Sequence, residues 1–287
     1  MPGNPWYGTR GELAGAVLWS VQPVAVAIAA AGVPPLLQAT LTTSASLLLV
    51  WLWTRWRDVA VFAQDATLAP GVRLGLLYSA RLALLYLAAA RLGAAGAVEC
   101  MVAVLLLLLL LPAAARRGAA RPFAAVPAAL ALLVVAPLLD PWGLLLAASA
   151  ALAWAGLEWA VRDVRLAECG GEKLVFYQLI GAAVTLPVVS VVAGENWLVD
   201  ASSTAWWALA AQVGACVLAS ALLWIAPDAA HRGQRLPALL AVAPSATLLL
   251  QAASANWPTP PYWVAAALLL AAARWPPRAQ LLSADAE

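Results

Sequence analysis

The chain has 287 residues, of which 64% are hydrophobic and only 10% charged, with a formal net charge of +2 and a mean hydropathy of +0.87. An ordinary soluble domain carries roughly 25% charged residues, so this composition cannot clothe a water-facing surface and implies an integral membrane protein. No basic cluster interleaves with aromatics, which excludes a nucleic-acid partner, and a single histidine, His231, puts most metal-hydrolase chemistry out of reach.

A spanning helix needs about 20 mostly apolar residues. On that rule the spans fall at 12–31, 35–54, 72–90, 94–112, 122–139, 142–161, 174–193, 204–225, 235–254 and 260–275. Span one, with Arg10 before it and Ala27, Ala29 and Ala31 near its end, mimics a signal peptide. Its length and its counterpart later in the chain favour a retained span. Pro34, Pro35, Pro122, Pro141, Pro260 and Pro261 fall near helix starts, where a missing N–H costs little. Pro23, Pro127, Pro187 and Pro244 fall inside spans and should kink them. The leucine run Leu105 to Leu111 makes span four the clearest; Pro260 and Pro261 make the last span the weakest.

With a cytoplasmic N-terminus, the inner loops and inner helix ends collect the basic residues. Of the sixteen, only Arg91 lies outside and Arg81 within a span. This positive-inside pattern predicts a multi-pass protein of the inner membrane with both termini cytoplasmic. Most of the fifteen tryptophans fall near the two membrane faces, as an aromatic belt would. Trp224 sits toward the inside; Trp19 and Trp154 lie deep in spans one and six.

Those two tryptophans are 135 residues apart, Gln22 and Glu158 136, Gln38 and Gln178 140, and Tyr86 and Trp224 138. The expected fold is therefore all-α, with ten transmembrane helices in two five-helix repeats, residues 1–140 and 141–287. An odd number of spans per repeat inserts the second half upside down. Inverted repeats are a secondary-transporter architecture, with the solute site near mid-membrane between the repeats.

A charge in mid-membrane costs about 2.5–3.5 kcal/mol on insertion scales. Arg81, Glu99 and Glu158 therefore stand out. Arg81 and Glu99 differ in depth by about 6 Å on the helical rise, so they either pair structurally or face a ligand. Glu158 either snorkels toward Arg162, one turn on, or faces the cavity. A carboxylate in such surroundings can take up and release a coupling proton; Arg81 can hold a substrate carboxylate, and a glutamate an ammonium. Trp19, Tyr78 and Trp154 supply the alternative, an aromatic cage for a quaternary ammonium. Span eight adds a polar stripe, Gln212, Cys216 and Ser220, suited to packing or to lining a cavity. The candidate substrate-binding residues are Trp19, Gln22, Tyr78, Arg81, Glu99, Trp154, Glu158, Gln212 and Trp224.

Catalytic residues, cofactor and metal ligands are not expected. There is no Walker-type phosphate loop, no nucleophile–base pair, and the three cysteines Cys100, Cys169 and Cys216 are too scattered for a metal site.

Several short motifs resemble the drug/metabolite transporter superfamily, in particular its EamA-type members. Ala16-Val17-Leu18-Trp19-Ser20 resembles the family's step in span one, Ala153-Trp154-Ala155 its counterpart in span six, and Val242-Ala243-Pro244-Ser245 the apolar-proline step of span nine. The stretch from Leu84-Leu85-Tyr86-Leu87 through Ala97-Val98-Glu99 to the leucine run resembles the hairpin of spans three and four. Glu99 followed by Met101-Val102 is similar to the aromatic amino acid exporters of that superfamily. The family's mid-span-four proline is absent, and Pro112 stands where a glutamate is common. The resemblance implies alternating-access export of a small metabolite, an amino acid or related zwitterion, with the bilayer as the other partner.

Overall fold

A computed structural model describes residues 5–62, 65–117, 122–167, 169–225, 235–254 and 256–274. Arg121, His231, Arg232 and Arg278, assigned by the sequence to cytoplasmic loops and ends, lie outside these residues. Among the described residues every regular element is helical. They are α1 (Pro5–Ala29), α2 (Pro35–Trp56), α3 (Leu68–Arg117), α4 (Pro122–Val135), α5 (Pro141–Ala160), the short α6 (Val164–Ala167), α7 (Gly171–Val192), α8 (Ser203–Ser220), α9 (Arg235–Ala253) and α10 (Pro260–Arg274). A 3₁₀ turn, Ala136–Leu138, follows α4, and a π-helical turn, Ala221–Ile225, extends α8.

Prolines open α2, α4, α5 and α10, where the lost N–H has no intrahelical partner in any case. Asp140 caps α5, its carboxylate accepting the Gly143 N–H at 2.9 Å, and Ser202 caps α8 through the Ala205 N–H. Among the described residues, six helical stretches, in α1, α2, α3, α5, α7 and α8, are long and apolar enough to cross a membrane. With the apolar composition, they make this a membrane-embedded helical protein. The apolar stretch of α3, Leu68–Leu109, has 42 residues, about 63 Å at the helical rise and twice the hydrocarbon thickness. It is broken at Gly93, whose φ of 73° and ψ of 171° would strain any residue with a Cβ. The three-residue loop expected at 91–93 is thus a single glycine between two helical limbs.

The first limb of α3 lies backbone to backbone on α7. Gly71 faces the Tyr177 ring, Gly75 faces Gly181, and the hydroxyls of Ser79 and Thr185 are 2.5 Å apart. These residues recur every four positions on both helices. A Cβ on Gly75 would stand 2.5 Å from the Tyr177 carbonyl oxygen and 3.0 Å from Gly181 Cα. Small residues at this spacing let helices approach closely in lipid, where dispersion rather than water exclusion drives packing.

Both ends of α7 are held by carboxylates. At its N-terminal end Lys173 donates to Asp65 at 2.5 Å, and the Thr67 and Tyr177 hydroxyls meet at 2.8 Å. At its C-terminal end Gly194, at φ 74°, turns the chain so that Glu195 accepts the Leu36 and Leu37 N–H groups of α2 at 2.9 and 2.7 Å. Ser190 donates to the same carboxylate at 2.8 Å, and Trp197 donates to Ser190 at 3.0 Å.

Candidate functional site

A buried cavity lies where α1, the first limb of α3, α5, α7, α8 with its π turn, and α9 meet. Its polar and aromatic lining is Trp19 and Gln22 from α1, Tyr78 and Arg81 from α3, Trp154 and Glu158 from α5, and Gln178 from α7. Cys216, Ser220 and Trp224 close it from α8 and the π turn, with Leu239 of α9 beneath. The cavity volume is about 30 Å³, room for a water or two.

Arg81 is the centre of this arrangement. Its guanidinium lies 5.0 Å from the Tyr78 ring centroid and 4.7 Å from that of Trp154. The face of Tyr78 follows from helix geometry, since residues three apart share a face. Trp154 packs tilted against Trp19 at 5.3 Å between ring centroids and donates its indole N–H to Glu158 at 3.2 Å. Tyr78 Oη and Cys216 Sγ are 3.8 Å apart. Three buried donors of the lining, Trp19 Nε1, Arg81 Nε and Gln178 Nε2, have no hydrogen-bond partner among the described residues. Such donors cost free energy unless an acceptor is supplied.

Seven of the nine residues nominated from sequence, Trp19, Gln22, Tyr78, Arg81, Trp154, Glu158 and Trp224, line this one cavity. Glu99 and Gln212 do not. Glu99 lies on the second limb of α3, fully buried, with neither carboxylate oxygen hydrogen-bonded among the described residues. Among those residues it forms no ion pair with Arg81, whose guanidinium packs between two rings instead. Gln212 donates to Gln38 at 2.9 Å and accepts from Thr42 at 3.0 Å, tying α8 to α2. The span-eight stripe therefore divides by depth: Cys216 and Ser220 reach the cavity, while Gln212, a turn earlier, locks two helices. Gln178, Cys216 and Ser220 belong in the site; their signal was a polar side chain within an apolar span. Leu239 carried no signal. Among the described residues, no group of three His, Cys, Asp or Glu side chains could hold a metal ion.

No family model matches the chain, and no curated protein sequence matches it. The fold is similar to that of a solved structure described as "Crystal structure of protein", with a TM-score of 0.67 and 21% identity over 98% of this chain and 99% of that one. At that identity the likeness is one of fold.

Proposed function

We propose that the chain is a secondary transporter that moves a small zwitterion, an amino acid or close relative, across the inner membrane by alternating access, as an exporter of the EamA type. The solute leaves chemically unchanged. The observation that carries this reading is the cavity's lining: a buried guanidinium and a carboxylate face one space, with three N–H donors around it that have no partner among the described residues. A solute carboxylate would satisfy Arg81 Nε, Trp19 Nε1 and Gln178 Nε2, and its ammonium would lie toward Glu158. Charge-assisted bonds of this kind are about twice as strong as neutral ones. At about 30 Å³ the cavity holds no more than a water or two, so the two halves would have to part before a solute enters.

Ten spans in two inverted halves agree with the packing. Among the described residues, counting the limbs of α3 separately and setting α6 aside gives ten helical segments, five before residue 141 and five after. Exchange the halves, so that α1 becomes α5, α2 becomes α7, the limbs of α3 become α8 and α9, and α4 becomes α10. The contact of α1 with α8 then maps onto that of α5 with α3, and α2 with α8 onto α7 with α3. The α4–α10 contact maps onto itself. Both termini would then be cytoplasmic, and the clasps at the two ends of α7 would act as gates. Glu99, buried apart from the cavity, is the candidate carrier of a coupling proton.

The quaternary-ammonium alternative is less well supported, because the protein's own Arg81 fills the space between the Tyr78 and Trp154 rings. The test is flux of labelled amino acids and of choline-like cations into proteoliposomes. Amino-acid movement, abolished in Arg81→Ala and reduced in Glu158→Gln, is expected. Flux of the cation alone would overturn the zwitterion reading, and no flux of any solute would overturn the transporter.

A further inference from the structure

A second recess, of about 420 Å³, opens at the surface between the start of α3 and the end of α5, lined by Pro70, Arg73, Trp159, Ala160, Arg162 and Asp163. We propose that it binds the headgroup of an anionic glycerophospholipid. Two guanidinium-bearing residues line it, and its one carboxylate is already answered: Asp163 accepts from Arg165 Nε at 3.0 Å and Nη2 at 2.8 Å, and from the Arg165 N–H. The lining itself sets two guanidiniums against one carboxylate, a positive excess that holds although Arg162 has a further interaction within the protein. Headgroups with an ammonium of their own find no uncommitted carboxylate there.

The position fits a lipid rather than a soluble anion. The recess lies at the ends of two apolar helices, at the level where headgroups sit. Trp159 is 71% exposed, an indole placed to meet both glycerol and acyl chain. Beyond it Val72 and Leu76 of α3 and Leu152 of α5 present an exposed apolar strip to the acyl chains. Arginine recognises phosphate through its planar fork of donors, and basic recesses between spans are a recurrent form of headgroup site. This site is separate from the central cavity and holds whichever solute is moved.

The experiment is thermal unfolding and native mass spectrometry of the detergent-purified protein with phosphatidylglycerol, phosphatidylcholine or inorganic phosphate added separately. Phosphatidylglycerol should stay bound and raise the Tm, and Arg73→Gln with Arg162→Gln should weaken it at least tenfold. Arg91→Gln, on another exposed arginine, should leave it unchanged and controls for general charge loss. Equal retention of phosphatidylcholine, an equal Tm rise with inorganic phosphate, or undiminished binding in the double variant would each overturn the proposal.

Discussion

Trp19 and Trp154, 135 residues apart in the chain, pack against each other at 5.3 Å between ring centroids, their planes tilted by 46°. In a molecule built from two inverted halves, residues equivalent under the two-fold meet their own counterparts only near its axis. On the proposed inverted-repeat reading, their contact would lie near that axis, with the cavity of Arg81 and Glu158 beside it, where both halves could close on the site from either side.

Arg81 should govern solute affinity. Its replacement by alanine removes a charge-assisted hydrogen bond, about 1.5–3 kcal/mol, and so should weaken binding of a zwitterion about 10- to 150-fold. Arg81→Lys keeps the charge but loses the planar stacking between Tyr78 and Trp154, and should fall between the two. Equilibrium binding of a labelled amino acid to the purified variants measures both. Equal affinity in all three proteins would remove Arg81 from the site.

Glu195 should act as a gate at one end of α7. Its carboxylate caps the start of α2 through two N–H groups, a contribution of about 0.5–2 kcal/mol. In a background with Cys100 and Cys169 replaced by alanine, Cys216 reports on the cavity. Glu195→Ala should speed its modification by an impermeant maleimide from the Glu195 side. Lys173→Ala should speed it from the opposite side. Acceleration from the same side in both variants would mean that these contacts do not gate opposite entrances.

The Asp65 clasp carries a pH signature. The Lys173 ammonium and the Thr67 hydroxyl and amide hold the Asp65 carboxyl down at about 2, against an ordinary 3.8. A depressed carboxyl adds stability above its ordinary value, and that contribution fades as pH falls through the depressed one. The melting difference between the natural protein and Asp65→Asn should therefore be constant from pH 7 to 5 and shrink below about 4. A difference that already collapses between pH 7 and 5 would assign the effect to another group.

Helical glycines should separate by environment. Gly75→Ala drives a methyl group into the Tyr177 carbonyl and the Gly181 backbone, and overpacking of this kind costs about 1–3 kcal/mol. Gly214, in α8 with open space around its Cβ position, should gain about 0.5–1 kcal/mol on the same change through better helix propensity. Melting curves of the two variants in one detergent test the pair.

Much of this was legible because lipid penalises polar groups so heavily. A tryptophan, arginine or glutamate deep in an apolar span must find the interior, and Trp19, Arg81, Trp154 and Glu158 did. Apolar run length and proline also marked the starts of α2, α4, α5 and α10. What depth alone cannot give is the direction a side chain takes. Gln212 and Cys216 share a helix face, yet Gln38 and Thr42 capture one and Tyr78 meets the other. The start of α7 was read at residue 174, because Glu172 and Lys173 look like loop; Asp65, from a distant connection, is what lets Lys173 sit within the helix. Glu195 gave no signal, since its partners are backbone amides 158 and 159 residues away.

The contact of Gly75 with Gly181 has a mechanical consequence. Side chains between two helices act as springs, yielding by rotamer changes as the helices move. Where main chain rests on main chain, nothing can yield, so the first limb of α3 and α7 can neither press closer nor slide past each other without collision. The freedom left to them is to turn about the point of contact. That point is a fulcrum, and on the proposed alternating-access cycle an opening at one end of α7 would be a closing at the other.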